Sequence, residues 1–474
     1  MMDGKNDDSL SQNKKKQEWI PLCERERLPF IHLMGITLGT LATTLLFNIL
    51  YTLFTPLSVK LKLHSITRIL ILLSGGLIGF FISPFSGNIS DRTMFRYGRR
   101  RIFMLVGGLI VVLGLLMCMY CIEIGKFLSS KHTLLTQQIV FIVALEITMI
   151  AGNFVQTPAR SLCSDVCPPS QQVLVSSCVT VYSGLGGIFI NLVGALQLYK
   201  YTSLSQESFI LFVGLGIVAV SLAISIIVTP EESLKEKPPS VNPISSTFSC
   251  FKNYPNSLWR IGIAYFISQI AIYQIGIQLT DFMGRTIEKG DNVIDAPKEL
   301  IDKYQKGVSW AMLCNVMNYG TQFLYSFVHP YCCKLIGMKA IFIITIGLEG
   351  VMFMLFFWVK SKIAYLFINI PVGLATVAYL AIPQAIVSLA IPVSSLGQYM
   401  GTLYCFCTAG SQTSNFLIGM GGAAIWPNQP GKLVGISCIF SYLSAIAGFW
   451  IIIPESNSDS EDDFSKSNLD DEST

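Results

Sequence analysis

Residues 87–101 read G-N-I-S-D-R-T-M-F-R-Y-G-R-R-R and join two long apolar segments, residues 69–90 and 102–122, that carry no charged side chain. A single acidic residue, Asp91, stands against five basic ones: Arg92, Arg96, Arg99, Arg100 and Arg101. Lys and Arg resist transfer across a membrane, so short loops rich in them stay on the cytoplasmic side. The stretch therefore predicts two membrane-spanning helices joined by a cytoplasmic loop, which sets the orientation of the chain.

The composition excludes an ordinary soluble protein. The chain has 474 residues, of which 52% are hydrophobic and 13% charged, whereas soluble domains carry about 25% charged residues. The cysteines are scattered, and the adjacent pair Cys332 and Cys333 lacks the spacing of a zinc or redox site. We therefore expect the lipid bilayer as the main environment, with no nucleic acid among the partners and no bound metal.

The apolar segments are numerous enough for twelve spans, since a bilayer core requires about 20 apolar residues per helix. The predicted spans are 31–58, 66–89, 102–124, 134–157, 172–197, 208–229, 258–282, 307–330, 339–358, 363–388, 396–421 and 432–453. The uncharged segment 363–431 is too long for one helix, and the turn-forming residues around Pro392 predict the break. An even number of spans predicts that both ends of the chain lie on the cytoplasmic side.

A polar connection rich in proline divides the predicted spans into six and six. The expected units are a disordered cytoplasmic tail (1–29), a six-helix bundle (30–229), a cytoplasmic linker (230–256), a second six-helix bundle (257–454) and a disordered acidic tail (455–474). Residues 334–339, between spans 8 and 9, weakly repeat the pattern of the arginine-rich loop. Duplicated bundles place a binding site where the two repeats meet.

The arginine-rich loop also resembles a known family signature. Its pattern, G-x-x-x-D-R followed by R-x-G-R-R, is similar to the cytoplasmic loop between helices 2 and 3 of the major facilitator superfamily, in the variant of the sucrose–proton symporters. The resemblance implies an all-α membrane protein with twelve transmembrane helices in two pseudo-symmetric six-helix bundles. We expect this loop to lock and release the inner gate, with Asp91 meeting a helix N-terminus and an arginine across the two halves. The expected gating residues here are Gly87, Asp91, Arg92, Arg96, Gly98 and Arg99. The alternative is that the loop is only a topology signal.

The fourth predicted span carries the strongest candidates for transport, because charge inside a membrane span is costly and usually functional. Glu146, Asn153 and Arg160 recur every seven residues and so share one helix face. Residues 153–165 resemble the helix-4 motif of the sucrose transporters, an asparagine followed by Gln-Gly-Pro-Ala-Arg-Ala-Leu-Leu-Ala-Asp. The resemblance implies that Arg160 contacts the sugar, with Asn153 and Gln156 beside it. The alternative for Arg160 is a side chain that reaches toward the inner membrane surface.

The acid that couples sugar to proton movement in that family aligns with Met149, which cannot titrate. Glu146 lies nearly one helical turn earlier on almost the same face. We expect Glu146 to carry the proton instead. The alternative is that coupling has been lost and that the protein is a facilitator.

A second specific resemblance lies at the outer end of the seventh span. Residues 279–285, L-T-D-F-M-G-R, are similar to the family's Thr-Asp-Trp-Met-Gly-Arg. Asp281 and Arg285 are four residues apart on a helix, so they can pair with each other or reach the sugar. We assign Asp281 to sugar binding and Arg285 to gating; a helix-end ion pair is the alternative. Asn318 and Gln384 are further candidates for hydrogen bonds to sugar, although such amides often bond between helices.

These features together predict a secondary transporter that moves sucrose or a related glycoside by alternating access, with the proton as coupling ion and no other cofactor. The alternatives are an uncoupled facilitator, a membrane sugar sensor, and a membrane-embedded enzyme, which the unrelated positions of the four histidines disfavour. The expected partners are the sugar and the bilayer, and the default oligomeric state is a monomer. The default location is the plasma membrane, with a vacuolar or other internal membrane left open, as is the identity of the sugar.

Overall fold

The computed structural model describes residues 22–96, 98–129, 131–168, 171–231, 251–252, 254–391 and 396–454. Most of the N-terminal tail, most of the linker and the whole acidic tail that the sequence predicts lie outside the described residues. Within the described part the chain is helical and contains no β-strand.

Twelve long helices follow one another in the described part of the chain. Those of the N-terminal half are α1 (Phe30–Lys60), α2 (Ser65–Arg92), α3 (Arg101–Met119), α4 (Thr133–Val166), α5 (Gln172–Ala195) and α6 (Gln206–Val228). Those of the C-terminal half are α7 (Asn256–Asp281), α8 (Lys298–Ile336), α9 (Met338–Met354), α10 (Lys362–Ala390), α11 (Leu396–Ser414) and α12 (Pro430–Gly448). The all-α membrane fold predicted from the sequence is confirmed.

Nine of these helices are long and apolar enough to cross a membrane by themselves, counting only the described residues. The other three are α5, α8 and α11. Helices α8 and α11 carry amides that face other helices: Asn315 donates to Asn191 of α5, and Gln412 lies against Gly76 of α2. Their lower hydropathy follows from this, because polar side chains within a membrane protein face its interior rather than lipid.

The two halves repeat one packing pattern. In the N-terminal half α1 packs on α4, α5 and α6, while α3 packs on α4 and α6 and α2 packs on α4. In the C-terminal half α7 packs on α10, α11 and α12, while α9 packs on α10 and α12 and α8 packs on α10. Each pair corresponds to a pair six helices earlier, so the halves are structural copies, as expected for a duplicated transporter fold.

Among the described residues the halves meet mainly through three helix pairs, α5 with α8, α2 with α11 and α1 with α7. Between α2 and α11, Gly76 leaves room for the side-chain amide of Gln412, which an added Cβ would overlap. Small residues such as glycine let membrane helices pack closely. These three contacts join the N-terminal half to the C-terminal half.

Several helix ends differ from the sequence prediction. Helix α8 has 39 residues, many more than the predicted span 307–330, because the amphipathic turns after Pro297 continue the helix beyond the apolar segment. Helix α7 continues into a π-helical turn, Phe282–Ile287, and α11 into another, Asn415–Gly421. Such turns frequently mark functional sites. The predicted break near Pro392 is confirmed, since α10 ends at Ala390 and α11 begins at Leu396.

Candidate functional site

The outer ends of the halves are joined by buried charges. Asp281, at the end of α7, accepts a hydrogen bond from the Tyr304 hydroxyl at 3.1 Å and lies 3.1 Å from Arg285 Nε. Its other oxygen lies 3.9 Å from Nη1 of Arg68, which belongs to α2 of the opposite half. Only 3% of Asp281 is exposed. We call Arg68, Asp281, Arg285 and Tyr304 the outer charged cluster. It contains the Asp281–Arg285 ion pair that the sequence left as the alternative to sugar binding, and it adds a cation from the N-terminal half.

The loop between α7 and α8 reinforces this closure. Asn292, which is buried, donates to the Pro56 carbonyl and to Glu207 Oε1, both at 3.0 Å. Glu207 in turn lies 3.5 Å from Lys60 Nζ. Since Pro56, Lys60 and Glu207 belong to the N-terminal half, the loop of one half is bonded to the helix ends of the other.

A small cavity lies between the halves at this end. Its volume is about 30 Å³, and Arg68, Gln278, Asp281, Trp426 and Asn428 lie in its wall. This volume holds one or two water molecules and is too small for a sugar. The ion pair and hydrogen bonds between the halves close this end, which the predicted orientation places outside.

At the inner end the arginine-rich loop is bonded within its own half. Arg99 Nη2 donates to Asp165 Oδ2 at 2.7 Å, and Arg100 Nε donates to the same oxygen at 3.1 Å. Arg100 also donates to Ser90 Oγ at 2.6 Å. Glu231, just after α6, accepts from the Arg100 backbone N–H at 2.8 Å and lies 3.4 Å from Arg99 Nε. All of these described partners belong to the N-terminal half, so these bonds do not join the two halves.

The other predicted gating residues of the loop are placed as follows. Gly87 lies on the face of α2 next to α4, where an added Cβ would lie 3.2 Å from Thr157 Cγ2, so the two helices approach closely at this point. Arg96 is exposed. The side chains of Asp91 and Arg92 lie outside the described part, so their gating roles stay predictions.

Burial raises the pKa of the Glu231 carboxyl, and the backbone N–H groups of Arg100 and Arg101 and the charge of Arg99 oppose that shift. A carboxyl with so many donors around it ties the chain after α6 to the start of α3. The loop arginines are thus partly neutralised by Asp165, at the end of α4, and by Glu231, just after α6.

Replacing Gly98 with alanine is expected to lower stability by about 1–3 kcal/mol. Gly98 has a φ of +111°, which an L side chain rarely adopts, and an added Cβ would lie 2.6 Å from Glu231 Oε2. The measurement is the thermal unfolding midpoint of the purified protein. Two controls separate backbone strain from the overlap with Glu231. Gly337 has a φ of +89° but open space around it, so Gly337→Ala measures the backbone strain alone. Gly216 has open space and no positive φ, so Gly216→Ala introduces neither strain nor overlap. Equal midpoints for Gly98→Ala and Gly216→Ala would contradict this expectation.

The predicted polar face of α4 carries Glu146, Asn153 and Arg160. Glu146, in its outer half, accepts a hydrogen bond from Ser74 Oγ of α2 at 2.5 Å. Its Oε2 is buried and has no hydrogen-bond partner among the described residues. Asn153 donates to the Met149 carbonyl of its own helix at 2.8 Å and packs against Gly79 of α2. This face therefore lies against α2 along its outer part.

Farther in, Arg160 turns toward the opposite half. Its side chain is exposed, and its guanidinium carbon lies 5.6 Å from the centroid of the Tyr404 ring on α11. The Tyr404 hydroxyl accepts a hydrogen bond from Gln384 Nε2 on α10 at 3.1 Å. Two predicted sugar contacts, Arg160 and Gln384, therefore converge on one tyrosine that lies between them.

The remaining predicted sugar contacts are dispersed. Gln156 is half-buried on α4. Asn318 is hydrogen-bonded to Gln322 on its own helix, and its backbone carbonyl lies close to Gly373 of α10. Asp281 belongs to the outer charged cluster rather than to the space around Arg160. In this conformation the structure thus brings together Arg160 and Gln384 but neither Asn318 nor Asp281, and the roles of all these residues in sugar binding stay predictions.

Sequence reasoning missed several residues of these clusters. Arg68 lies inside the predicted span 66–89. A charge inside a membrane span usually signals function, and this rule would have identified Arg68. Ser74 and Tyr404 carry no such signal, because uncharged polar and aromatic residues are common in membrane helices. Their importance depends on which helix faces them.

The comparisons with known proteins agree with this geometry. The model of the Major Facilitator Superfamily matches residues 36–290, more than half of the chain. A general alpha-glucoside permease of Schizosaccharomyces pombe is 29% identical over 201 residues, which cover 42% of this chain and 35% of the permease. A sucrose transport protein of Arabidopsis thaliana is 30% identical over 145 residues, which cover 29% of this chain and 24% of that protein. The matched segments thus cover about a third of the permease and about a quarter of the sucrose transport protein.

Solved structures share the fold. A nucleoside transporter superposes with a TM-score of 0.66 at 12% identity, covering 89% of this chain and all of that one. A bacterial homologue of the human lysosomal transporter Spinster, in an inward-facing and unoccupied conformation, superposes with a TM-score of 0.58 at 14% identity, covering 90% of this chain and 97% of that one. At such identities the likeness concerns the fold alone. A family match over more than half of the chain, on twelve helices in two related halves, means that the protein belongs to the major facilitator superfamily and is similar to its sucrose and glucoside transporters.

Proposed function

We propose that the protein is a secondary transporter that moves sucrose or a related glycoside by alternating access, with the proton as coupling ion. The observation that carries this proposal is the exposed Arg160 between two halves whose outer ends are closed by buried ion pairs. A charged side chain inside a membrane fold usually faces a water-filled cavity and marks a substrate pathway.

The chemistry around Arg160 suits a sugar. A guanidinium offers five N–H donors in a fixed fork, and an amide offers both donors and an acceptor. Vicinal hydroxyls of a glycoside match both groups. Within the described ranges no ion pair holds Arg160, so its donors are available to such hydroxyls. The names of the relatives, a glucoside permease and a sucrose transport protein, favour the same class of substrate.

In the proposed cycle the outer charged cluster is the outer gate. Opening toward the outside separates Arg68 of one half from Asp281 of the other, while Arg285 remains with Asp281 on α7. The arginine-rich loop and its acids Asp165 and Glu231 form the inner gate of the N-terminal half. Sugar binding lowers the barrier between the two arrangements only if it contacts both halves, as a ligand between Arg160 and Gln384 does.

Glu146 is the proposed proton site. One of its oxygens is held by Ser74 and the other is buried without a partner, so protonation removes a costly charge. Glu146 and Arg160 are fourteen residues apart on one helix, which corresponds to about 21 Å. A sugar at Arg160 therefore does not touch Glu146, and coupling between proton and sugar passes through the movement of α4 against α2.

The test of this function is uptake of radiolabelled sucrose into membrane vesicles with and without an inward proton gradient. The wild-type protein is expected to accumulate sucrose above the outside concentration when the gradient is present. The Glu146→Gln variant is expected to reach only equality with the outside concentration, because the amide cannot carry the proton. Glu123→Gln, an exposed glutamate of the short helix after α3, is the matched control and should behave as wild type.

Other results assign other functions. Accumulation by Glu146→Gln as strong as that of wild type would remove Glu146 as the coupling acid. Equilibration by the wild type itself, unaffected by pH, would favour the facilitator, for which the observation is Met149 at the position of the family's acid. Absence of sucrose uptake would direct the same assay to maltose and to monosaccharides.

The proposal extends to the whole chain. The working unit is a monomer of two bundles, 30–229 and 257–454, joined by the linker 230–256 and flanked by the tails 1–29 and 455–474. Its proposed location is the plasma membrane, and it requires no cofactor besides the proton. Chromatography of the purified protein with light scattering tests the monomer.

A further inference from the structure

Tyr404 occupies the position between the two halves that a bound sugar would need. Its ring faces Arg160 of the N-terminal half, with 5.6 Å between the guanidinium carbon and the ring centroid. Its hydroxyl is bonded at 3.1 Å to Gln384 of the C-terminal half. The side chain is 38% exposed, so it borders open space rather than packed helices.

The three side chains lie at one depth. Arg160 and Gln384 are each six residues from the inner ends of α4 and α10, and Tyr404 is eight residues from the inner end of α11. At 1.5 Å per residue these positions lie about 9–12 Å from the helix ends. A cation, an aromatic ring and an amide on three different helices thus form one layer across the space between the halves.

A sugar ring presents two kinds of surface, an apolar face of C–H groups and an edge of hydroxyls. An aromatic ring receives the apolar face, while a guanidinium and an amide bond the hydroxyls. We propose that Tyr404 is a sugar-positioning residue: in the empty transporter its ring and hydroxyl hold Arg160 and Gln384 in place, and on binding the sugar stacks on the ring and takes over both partners. This inference rests on the proposed function and adds to it the surface that receives the sugar.

The exchange is possible because the interactions that it breaks are weak. The cation lies above an exposed ring, where attraction is small, and the amide bond is a single neutral hydrogen bond. The sugar therefore replaces contacts of modest strength with a larger set. A flat aromatic surface also selects for the substrate, since a closed pyranose or furanose ring has a face to stack and a linear polyol has none.

The experiment measures uptake of radiolabelled sucrose, maltose and mannitol by wild type, Tyr404→Leu, Tyr404→Phe and Tyr404→Trp. Tyr404→Leu is expected to raise KM for the transported disaccharide roughly tenfold, with Vmax within about twofold of wild type, because stacking is lost. Tyr404→Trp keeps an aromatic face and is expected to restore KM to within about threefold. Tyr404→Phe lacks only the acceptor for Gln384 and is expected to raise KM about threefold. Any mannitol uptake should be unchanged in all variants.

A matched control is Tyr331→Leu, at the inner end of α8, where the tyrosine is 68% exposed. It should leave KM unchanged. A purely structural role of Tyr404 would instead lower Vmax and the amount of protein in the membrane at constant KM, and Trp would not rescue it. That result, or equal KM values in Tyr404→Leu and wild type, would overturn the inference while leaving the proposed function intact.

Failure of the proposed function gives a different result. If the wild type transports none of the sugars, the function and the inference fall together. If Tyr404→Leu does not reach the membrane, the Phe and Trp variants decide, since the inference requires the ring and predicts that both transport with KM close to wild type.

Discussion

Replacing Asp281 with alanine is expected to reduce uptake by more than a hundredfold and to destabilise the outward-closed conformation by about 3–5 kcal/mol, the cost of removing one partner from a buried ion pair. The carboxylate is 3% exposed and lies between cations of the two halves, Arg68 and Arg285. Without it the half-buried Arg68 and Arg285 lose the carboxylate that they share and repel each other. The transporter then favours open outer ends and does not complete its cycle.

Two measurements check this expectation. One is uptake; the other is labelling of a cysteine introduced at Gln278, in the wall of the outer cavity, by a membrane-impermeant reagent added from outside. Labelling should become faster when Asp281→Ala is introduced. Asp281→Asn, which keeps the size and the acceptor for Tyr304 but not the charge, should give an intermediate result.

The chain offers a matched control for this variant. Lys62 and Asp295 form an ion pair that also joins the two halves at the outer end, but Asp295 is 74% exposed at its side chain. Exposed pairs contribute about 0–1 kcal/mol, so Asp295→Ala should change uptake and labelling little. Equal effects of the two variants would mean that burial of the outer charged cluster has no role in closing the gate.

The second large effect is expected at Arg160. Arg160→Ala should raise KM for the transported glycoside roughly a hundredfold, since each charge-assisted hydrogen bond contributes about 1.5–3 kcal/mol and the guanidinium can make two to adjacent hydroxyls. Arg160→Lys retains the charge but loses the fork and should recover only part of that affinity. The measurement is KM for sucrose and maltose uptake in vesicles.

The lysine variant separates this role from the alternative raised by the sequence, in which Arg160 only extends toward the inner membrane surface. A side chain with that role accepts lysine without loss, because both residues place a cation at the interface. Arg260, near the inner end of α7, has this character: within the described ranges its Nη1 donates to the Trp450 carbonyl, at 3.4 Å. Arg260→Lys should therefore transport as wild type, and an Arg160→Lys variant that did the same would exclude sugar binding by the fork.

If both predictions hold, they divide the transporter into two levels. The outer charged cluster decides when the outside is closed, and the Arg160 layer decides which molecule is carried. Glu146 lies between these levels, bonded to Ser74 on α2, the same helix that carries Arg68. Protonation of Glu146 can therefore affect the outer gate through α2 without contacting the sugar.

Local physics explains what could be predicted. Membrane spans depend on the hydropathy of about 20 consecutive residues, orientation on basic residues in short loops, and the Asp281–Arg285 pair on a spacing of four within one helix. All three are properties of short segments. The spans and the ion pair are seen in the structure, and the orientation stays a prediction. The same reasoning placed Glu146, Asn153 and Arg160 on one face of α4, of which the outer part lies against α2.

The partners of these residues were decided by the tertiary structure. Arg68 meets Asp281, and Tyr404 lies between Arg160 and Gln384, only because two separate bundles dock with α2 beside α11 and α1 beside α7. The loop arginines illustrate the same point, since their described partners Asp165 and Glu231 come from the ends of α4 and α6 rather than from the opposite half. The sequence by itself determined the membrane fold and which polar side chains lie within it, because these follow from solvation and helix geometry along the chain. Which of those side chains meet was determined by the docking of the halves, because contacts between residues distant in sequence depend on the shapes of whole bundles.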